Sequence, residues 1–274
     1  MAVLGAFLAA LGVTDAIRDT SQGPISPTRR YAALAAGLVT LGALLTAGGV
    51  SAATGLAVGI PLATLLAVWV HDGVIARAFG EAPGLAVAFS AVSLGIAVAL
   101  LFGEAAPTAW PSWVPGPLSE LPVSRVILVG GIALFQVATA NLLVRLILEA
   151  VNVPSKEGSA RLRSGRVLGP MERLFIVGLG LAGNLTAAAV VVGAKGLLRF
   201  PELAASESRG ASGPPPIIIQ AAGAEGSGNG ADPEPATTPV DHGPNPVTEY
   251  FLIGSFASWL LALGGLGLAM LVWE

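Results

Sequence analysis

Nineteen consecutive residues, Val126–Val144, carry no charged side chain, and four further stretches of 21 to 40 residues share that property. These are Tyr31–Val70, Ala82–Gly103, Leu174–Ala194 and Tyr250–Trp273. A bilayer core about 30 Å thick is crossed by roughly 20 apolar residues of helix. Inside lipid every backbone polar group must be satisfied within the segment, which favours helices. The sequence therefore predicts an all-α, polytopic transmembrane helix bundle. Charged residues make up 11% of the chain, against about 25% in an ordinary soluble domain. That is too little to solvate a globular surface. Cysteine is absent, which excludes disulfides, thiolate chemistry and cysteine-bound metals. A net charge of −3 gives no sign of a nucleic-acid partner.

The 40 residues of Tyr31–Val70 are too long for one crossing. They predict two helices folded back at Gly48-Gly49, with Pro61 inside the second. Further spans are predicted at Gly84–Gly103, Ser124–Leu148, Glu172–Leu197 and Thr248–Trp273. The apolar Met1–Thr14 is short and lacks the basic residues of a signal peptide, so it reads as a short, tilted or interfacial span. The count is about seven spans, or six without the first. With the Arg145–Arg173 loop inside, alternation places ten Lys/Arg inside and four outside. That predicts a plasma-membrane protein with N-terminus out and C-terminus in for seven spans.

The chain divides into N-terminal transmembrane helices at 1–139, a C-terminal membrane module at 140–203 and 248–274, and a Gly/Pro-rich outer loop at 204–247. The loop's composition reads as disordered, because it has too little apolar surface to offset its ordering entropy. Trp110 and Trp113, in a proline-rich stretch, suit a loop lying along the headgroups.

Gly178-Leu179-Gly180-Leu181-Ala182-Gly183 matches a dinucleotide-binding pattern, but it falls inside a predicted span rather than after a strand. The sequon Asn184-Leu185-Thr186 is set in the same span. Small-residue sets at Gly55/Gly59, Gly178/Gly180/Gly183 and Gly264/Gly265/Gly267 predict close helix packing. His71-Asp72 reads as a helix-end cap. No catalytic set, cofactor site or metal site is expected.

Polar groups at depth are expected to be Gln136, Asn141 and Asn184, with Thr139, and no Asp, Glu, Lys or Arg is expected at the span centres. Charges should cluster at the interfaces instead. A cytoplasmic group of Arg145, Glu149, Arg166, Glu172 and Arg173 is one cluster. An outer ion-pair group of Lys195, Arg199, Glu202 and Glu249, clamping the last hairpin, is the other.

Four ordered strings carry a family resemblance. They are Ala140–Arg145 (ANLLVR), Gly165–Arg173 (GRVLGPMER), Ala194–Leu203 (AKGLLRFPEL) and Glu249–Ser255 (EYFLIGS). They resemble the C-terminal half of a bacterial integral-membrane family catalogued as a domain of unknown function. This chain differs in its long insert before the last helix, in Pro201, and in lacking the family's His- and Asp-bearing N-terminal helices. The resemblance implies a shared membrane module and no known reaction. The expected function is a non-enzymatic interaction or regulatory module in the lipid bilayer, with a membrane-protein partner or a second copy. The alternatives are a small-solute transporter or channel, and a membrane enzyme acting on a phosphorylated lipid through Arg166, Glu172 and Arg173.

Overall fold

The computed structural model describes residues 1–18, 26–79, 81–102, 109–110, 116–151, 163–194 and 246–271, with backbone alone for 72–79, 81–85, 117–118, 163–167 and 246–251. Every regular element among the described residues is a helix. In chain order these are α1 (Ala2–Arg18), α2 (Pro27–Ala47), α3 (Ala52–Phe79), α4 (Glu81–Leu101) and the short α5 (Gly116–Ser119). Then follow α6 (Val123–Ala150), α7 (Arg163–Leu181), α8 (Leu185–Ala194) and α9 (Pro246–Leu271). Four stretches are long and apolar enough to cross a membrane: Pro27–Ala47, Ala52–His71, Val123–Ala150 and Leu252–Leu271. Large apolar side chains face outward along them, among them Val39, Ile60, Phe256 and Leu260, each more than half exposed. A soluble protein rarely presents so much apolar surface, and a multi-pass membrane protein requires it.

The first helix is not interfacial. Ala2 to Leu11 are almost completely buried, and α1 is the axis around which α2, α3, α4 and α6 pack. A helix apolar on all sides belongs in such a place. It meets α6 backbone to backbone. A Cβ on Gly5 would stand 2.5 Å from Leu128 Cα, and one on Gly12 would stand 2.6 Å from the Leu134 carbonyl carbon. Gly131 faces Gly5 across the same crossing. The expected Gly55/Gly59 pair is not a close contact, since the nearest atoms are 3.9 Å and 3.6 Å away. Gly178, Gly264 and Gly267 have open space, whereas Gly180 abuts Leu266 and Gly265 abuts Gln136.

Paired residues fix the helix directions. Gly48 lies by Ala2, Gly37 by Thr14 and Arg29 by Ile17, so α2 is antiparallel to α1. Gly5 by Leu128 and Gly12 by Leu134 make α6 parallel to α1. Gly254 by Leu148 and Gly265 by Gln136 make α9 antiparallel to α6. The start of α1 and the finish of α9 therefore share one end of the bundle, here the Gly48 end. Arg18, Arg29 and the start of α9 occupy the other, the Arg18 end.

The break at Gly48-Gly49 is a helix stop of the Schellman type. Val50 N–H donates to Leu45 O at 3.1 Å and Gly49 N–H to Thr46 O at 3.1 Å, with Gly49 at φ 76°. Ser51 then caps α3 by accepting Thr54 N–H. The same device recurs where the sequence predicts one continuous span, Glu172–Leu197. Asn184 N–H donates to Leu179 O at 2.9 Å and Gly183 N–H to Gly180 O at 3.0 Å, with Gly183 at φ 77°. Only the left-handed backbone region accommodates this stop, and glycine enters it without a Cβ clash. Beyond it, Ala188 joins Ile176 and Ala262 in one buried cluster. A straight helix would carry Ala188 about 18 Å past Ile176. So α8 turns back along α7, toward the Arg18 end.

That reversal corrects two expectations. Asn184 is exposed at the turn and not at depth in a span. The backbone of Glu249, in the first turn of α9, lies at the Arg18 end, opposite to where strict alternation puts it. Lys195, Arg199, Glu202 and residues 204–245 of the Gly/Pro-rich loop lie outside the described residues.

Candidate functional site at the π-helical turn of α6

Five residues of α6, Phe135–Thr139, form a π-helical turn between two α-helical halves. Ala140 N–H bonds to Phe135 O, five residues back, instead of to Gln136 O. The widened turn leaves the Gln136 carbonyl without its usual helical donor. Arg173 of α7 supplies one, with Nε donating to Gln136 O at 3.1 Å. π-turns of this kind recur at functional sites.

Arg173, expected in a charge cluster at the cytoplasmic interface, is 2% exposed and lies among the helices of the bundle. Its remaining nitrogens bind two helices. Nη1 donates to Ser258 Oγ on α9 at 2.8 Å, and Nη2 donates to Asn141 Oδ1 on α6. Ser258 is six residues inside the apolar stretch Leu252–Leu271, about 9 Å along the helix. Asn141 in turn donates from Nδ2 to Val137 O at 3.0 Å, within the same widened turn. The planar guanidinium suits this work, because it sends donors to three groups at once. Glu172, also buried, accepts from Trp259 Nε1 at 3.4 Å. Gln136 completes the set by donating from Nε2 to Leu261 O at 2.8 Å.

A second buried charged set lies across the same turn. Asp15 of α1 receives Trp69 Nε1 at 3.0 Å to both carboxylate oxygens and pairs with Arg18 at 3.2 Å. Arg18 also donates to the carbonyls of Trp69 and Val70, at 3.2 Å and 3.4 Å, and sits 5.6 Å from the Trp69 ring centroid. These side chains are all buried. Thr139 stands next to Asp15, although its hydroxyl meets no partner at hydrogen-bonding geometry. Gln136 Oε1 is likewise buried and unpartnered.

Two of the three expected intramembrane polar residues, Gln136 and Asn141, thus meet at Arg173, and Asn184 does not. Of the expected cytoplasmic cluster, Glu172 and Arg173 are internal, while Arg145 and Glu149 are exposed on the last turns of α6. The side chain of Arg166 lies outside the described residues. Asp15, Arg18, Trp69 and Ser258 were not singled out by the sequence. Asp15 and Arg18, an i, i+3 acid–base pair ending an apolar helix, were the available signal.

No family model, no curated protein and no solved structure matches the chain. Among the described residues no group of three or more His, Asp or Glu could hold a metal ion.

Proposed function

We propose that the chain is a non-enzymatic, multi-pass membrane module that works through its surfaces, as an interaction or regulatory component. One observation carries this reading. Arg173 and Asp15, both buried, are held by other groups of the bundle. All three nitrogens of Arg173 and both oxygens of Asp15 have protein partners. A phosphate-gripping arginine needs free donors facing a substrate. Arg173 is 2% exposed and each of its nitrogens already bonds within the bundle, which argues against lipid-phosphate chemistry at Arg173 and Glu172. The partner class is a membrane protein or a second copy, meeting the outward apolar faces.

The Arg18 end faces the cytoplasm in this reading. Among the described side chains Arg18, Arg29, Arg30 and Arg145 belong to that end, and Arg125 to the other. The positive-inside rule then places the start of α1 and the finish of α9 outside, in place of a C-terminus inside. The resemblance of the C-terminal strings fits this reading, because two of them contribute Asn141 and Arg173 to one network.

A second reading, a small-solute transporter or channel, draws on the unpartnered Gln136 Oε1 and Thr139 Oγ1 in the π-turn. The deciding experiment is gentle-detergent purification with mass spectrometry, run beside solute flux in proteoliposomes. A stoichiometric protein partner with no flux supports the module. Flux from the partner-free chain, abolished by Gln136→Ala, replaces it with the transporter.

A further inference from the structure

Ala140 N–H has a choice of two helical acceptors, Phe135 O and Gln136 O. It takes the first, and that choice makes the π-turn. Taking the second restores the ordinary α-helical register. The turn stands between two unlike halves of α6. On its Gly48 side the helix is locked against α1: Gly131 faces Gly5, and a Cβ on Gly12 would stand 2.6 Å from the Leu134 carbonyl carbon. On its Arg18 side, the half Ala140–Ala150 is held by side chains. It buries Leu143 and Leu148 and exposes Arg145 and Glu149.

The two registers satisfy different groups. Thr14, Thr40, Thr46 and Thr64 each donate to the carbonyl four residues back in their own helices. Thr139 does not. Phe135 O, its acceptor by that rule, takes Ala140 N–H in the widened turn, and Thr139 Oγ1 is buried and unpartnered. The straight register returns Phe135 O to Thr139. It also puts Ala140 N–H on the acceptor that Arg173 Nε now uses, and it turns Asn141 away from Arg173. The observed register therefore satisfies Arg173 and strands Thr139, and the straight register does the reverse. The sequence of the moving half suits both. Rewinding by one residue turns that half by about 100° and shifts it about 1.5 Å along the axis. Each residue then takes the place of its successor, so Leu142 and Ile147 replace Leu143 and Leu148 against the core. Large apolar side chains face inward in either register.

We propose that the π-turn of α6 is a register switch, held in the observed state by Arg173 and drawn to the straight state by Thr139. Packed helices have discrete arrangements instead of continuous ones, which lets a one-residue step behave as a switch. Its output lies at the Arg18 end. Rewinding carries Arg145 from an exposed position to the half-buried one of Leu146, and moves Leu148 to the exposed place of Glu149. Arg173 also bonds Ser258 on α9, so a displacement of α9 against α7 is the input that releases the turn. The switch does not depend on the interaction-module reading and stands if the chain proves to be a transporter.

The test uses the full chain in membranes, with cysteine pairs introduced into the cysteine-free sequence and a short bifunctional thiol cross-linker. Gly254 on α9 faces Leu148, since a Cβ there would stand 3.4 Å from Leu148 Cδ1. The pair Leu148→Cys with Gly254→Cys therefore reports the observed register, and Ile147→Cys with Gly254→Cys reports the straight one. The Leu148 pair should link more in the otherwise unchanged chain. Asn141→Leu and Arg173→Leu should each raise the ratio of Ile147 to Leu148 linking about ten-fold, because each removes a hydrogen bond to a charged group that only the observed register makes. Thr139→Val should lower that ratio, because it removes what the straight register gains. Asn141→Leu and Thr139→Val are the milder changes and carry the test where Arg173→Leu does not fold. Linking at Leu148 that falls with no gain at Ile147 is local loosening and overturns the proposal, as does a ratio unchanged in folded Asn141→Leu and Thr139→Val.

Discussion

Arg173 Nε lies 3.1 Å from the Gln136 carbonyl, the acceptor that the π-turn of α6 frees from its own helix. The defect in one helix and the buried cation on another explain each other. Without the widened turn, Gln136 O would be occupied by Ala140 N–H. Without Arg173, the turn would leave a carbonyl unmet in an apolar interior.

Replacing Arg173 by Leu should therefore destabilise the bundle by more than a lost packing contact. Ser258 Oγ, Asn141 Oδ1 and Gln136 O lose their donor together, at a cost of about 2–4 kcal/mol. Arg173→Lys should recover only part, because an ammonium cannot reach three separate acceptors in the guanidinium plane. Thermal unfolding in detergent reads both variants. An unchanged melting temperature for Arg173→Leu contradicts the network.

Asp15 and Arg18 should be strongly coupled. A double-mutant cycle with Asp15→Asn and Arg18→Met should give an interaction term of about 1–3 kcal/mol, since each single change strands the other's charge. Additive losses would show that the pair is incidental.

The glycines divide by where backbones touch. Gly131→Leu should disrupt the α1–α6 crossing and cost about 1–3 kcal/mol through overpacking. Gly55→Ala and Gly59→Ala should be close to neutral, because a Cβ there meets nothing nearer than 3.6 Å. The reverse pattern in unfolding measurements would restore the sequence-based GxxxG assignment.

Gly183→Ala should cost about 1 kcal/mol, because φ 77° is unfavourable for any residue with a Cβ. Gly178→Ala, in the same dinucleotide-like string, should be silent. Equal effects at the two positions would contradict the turn.

The apolar runs made the helices legible, and the run length exposed the Gly48-Gly49 turn because 40 residues exceed one crossing. The equivalent turn at Gly183-Asn184 was hidden because Glu172–Leu197 has the length of one ordinary span. That single reversal moved Asn184 to a surface turn and put α9 in the opposite direction. Gln136 and Asn141 were legible as polar residues in an apolar run. Their meeting with Arg173 was not, because it depends on a π-turn that no local residue pattern announces. The burial of α1 was hidden for a related reason: a short apolar helix looks alike whether it is covered by lipid or by other helices.

The cysteine-free chain permits the most direct test, single-cysteine labelling from outside intact cells with a membrane-impermeant maleimide. Ser119→Cys, beyond the Gly48 end of the bundle, and Glu274→Cys, just past α9, should label alike, whereas Val151→Cys and Ser26→Cys should stay protected until the membrane is opened. Labelling of Glu274→Cys together with Val151→Cys, and opposite to Ser119→Cys, would contradict the reversal at Gly183 and the bundle built on it.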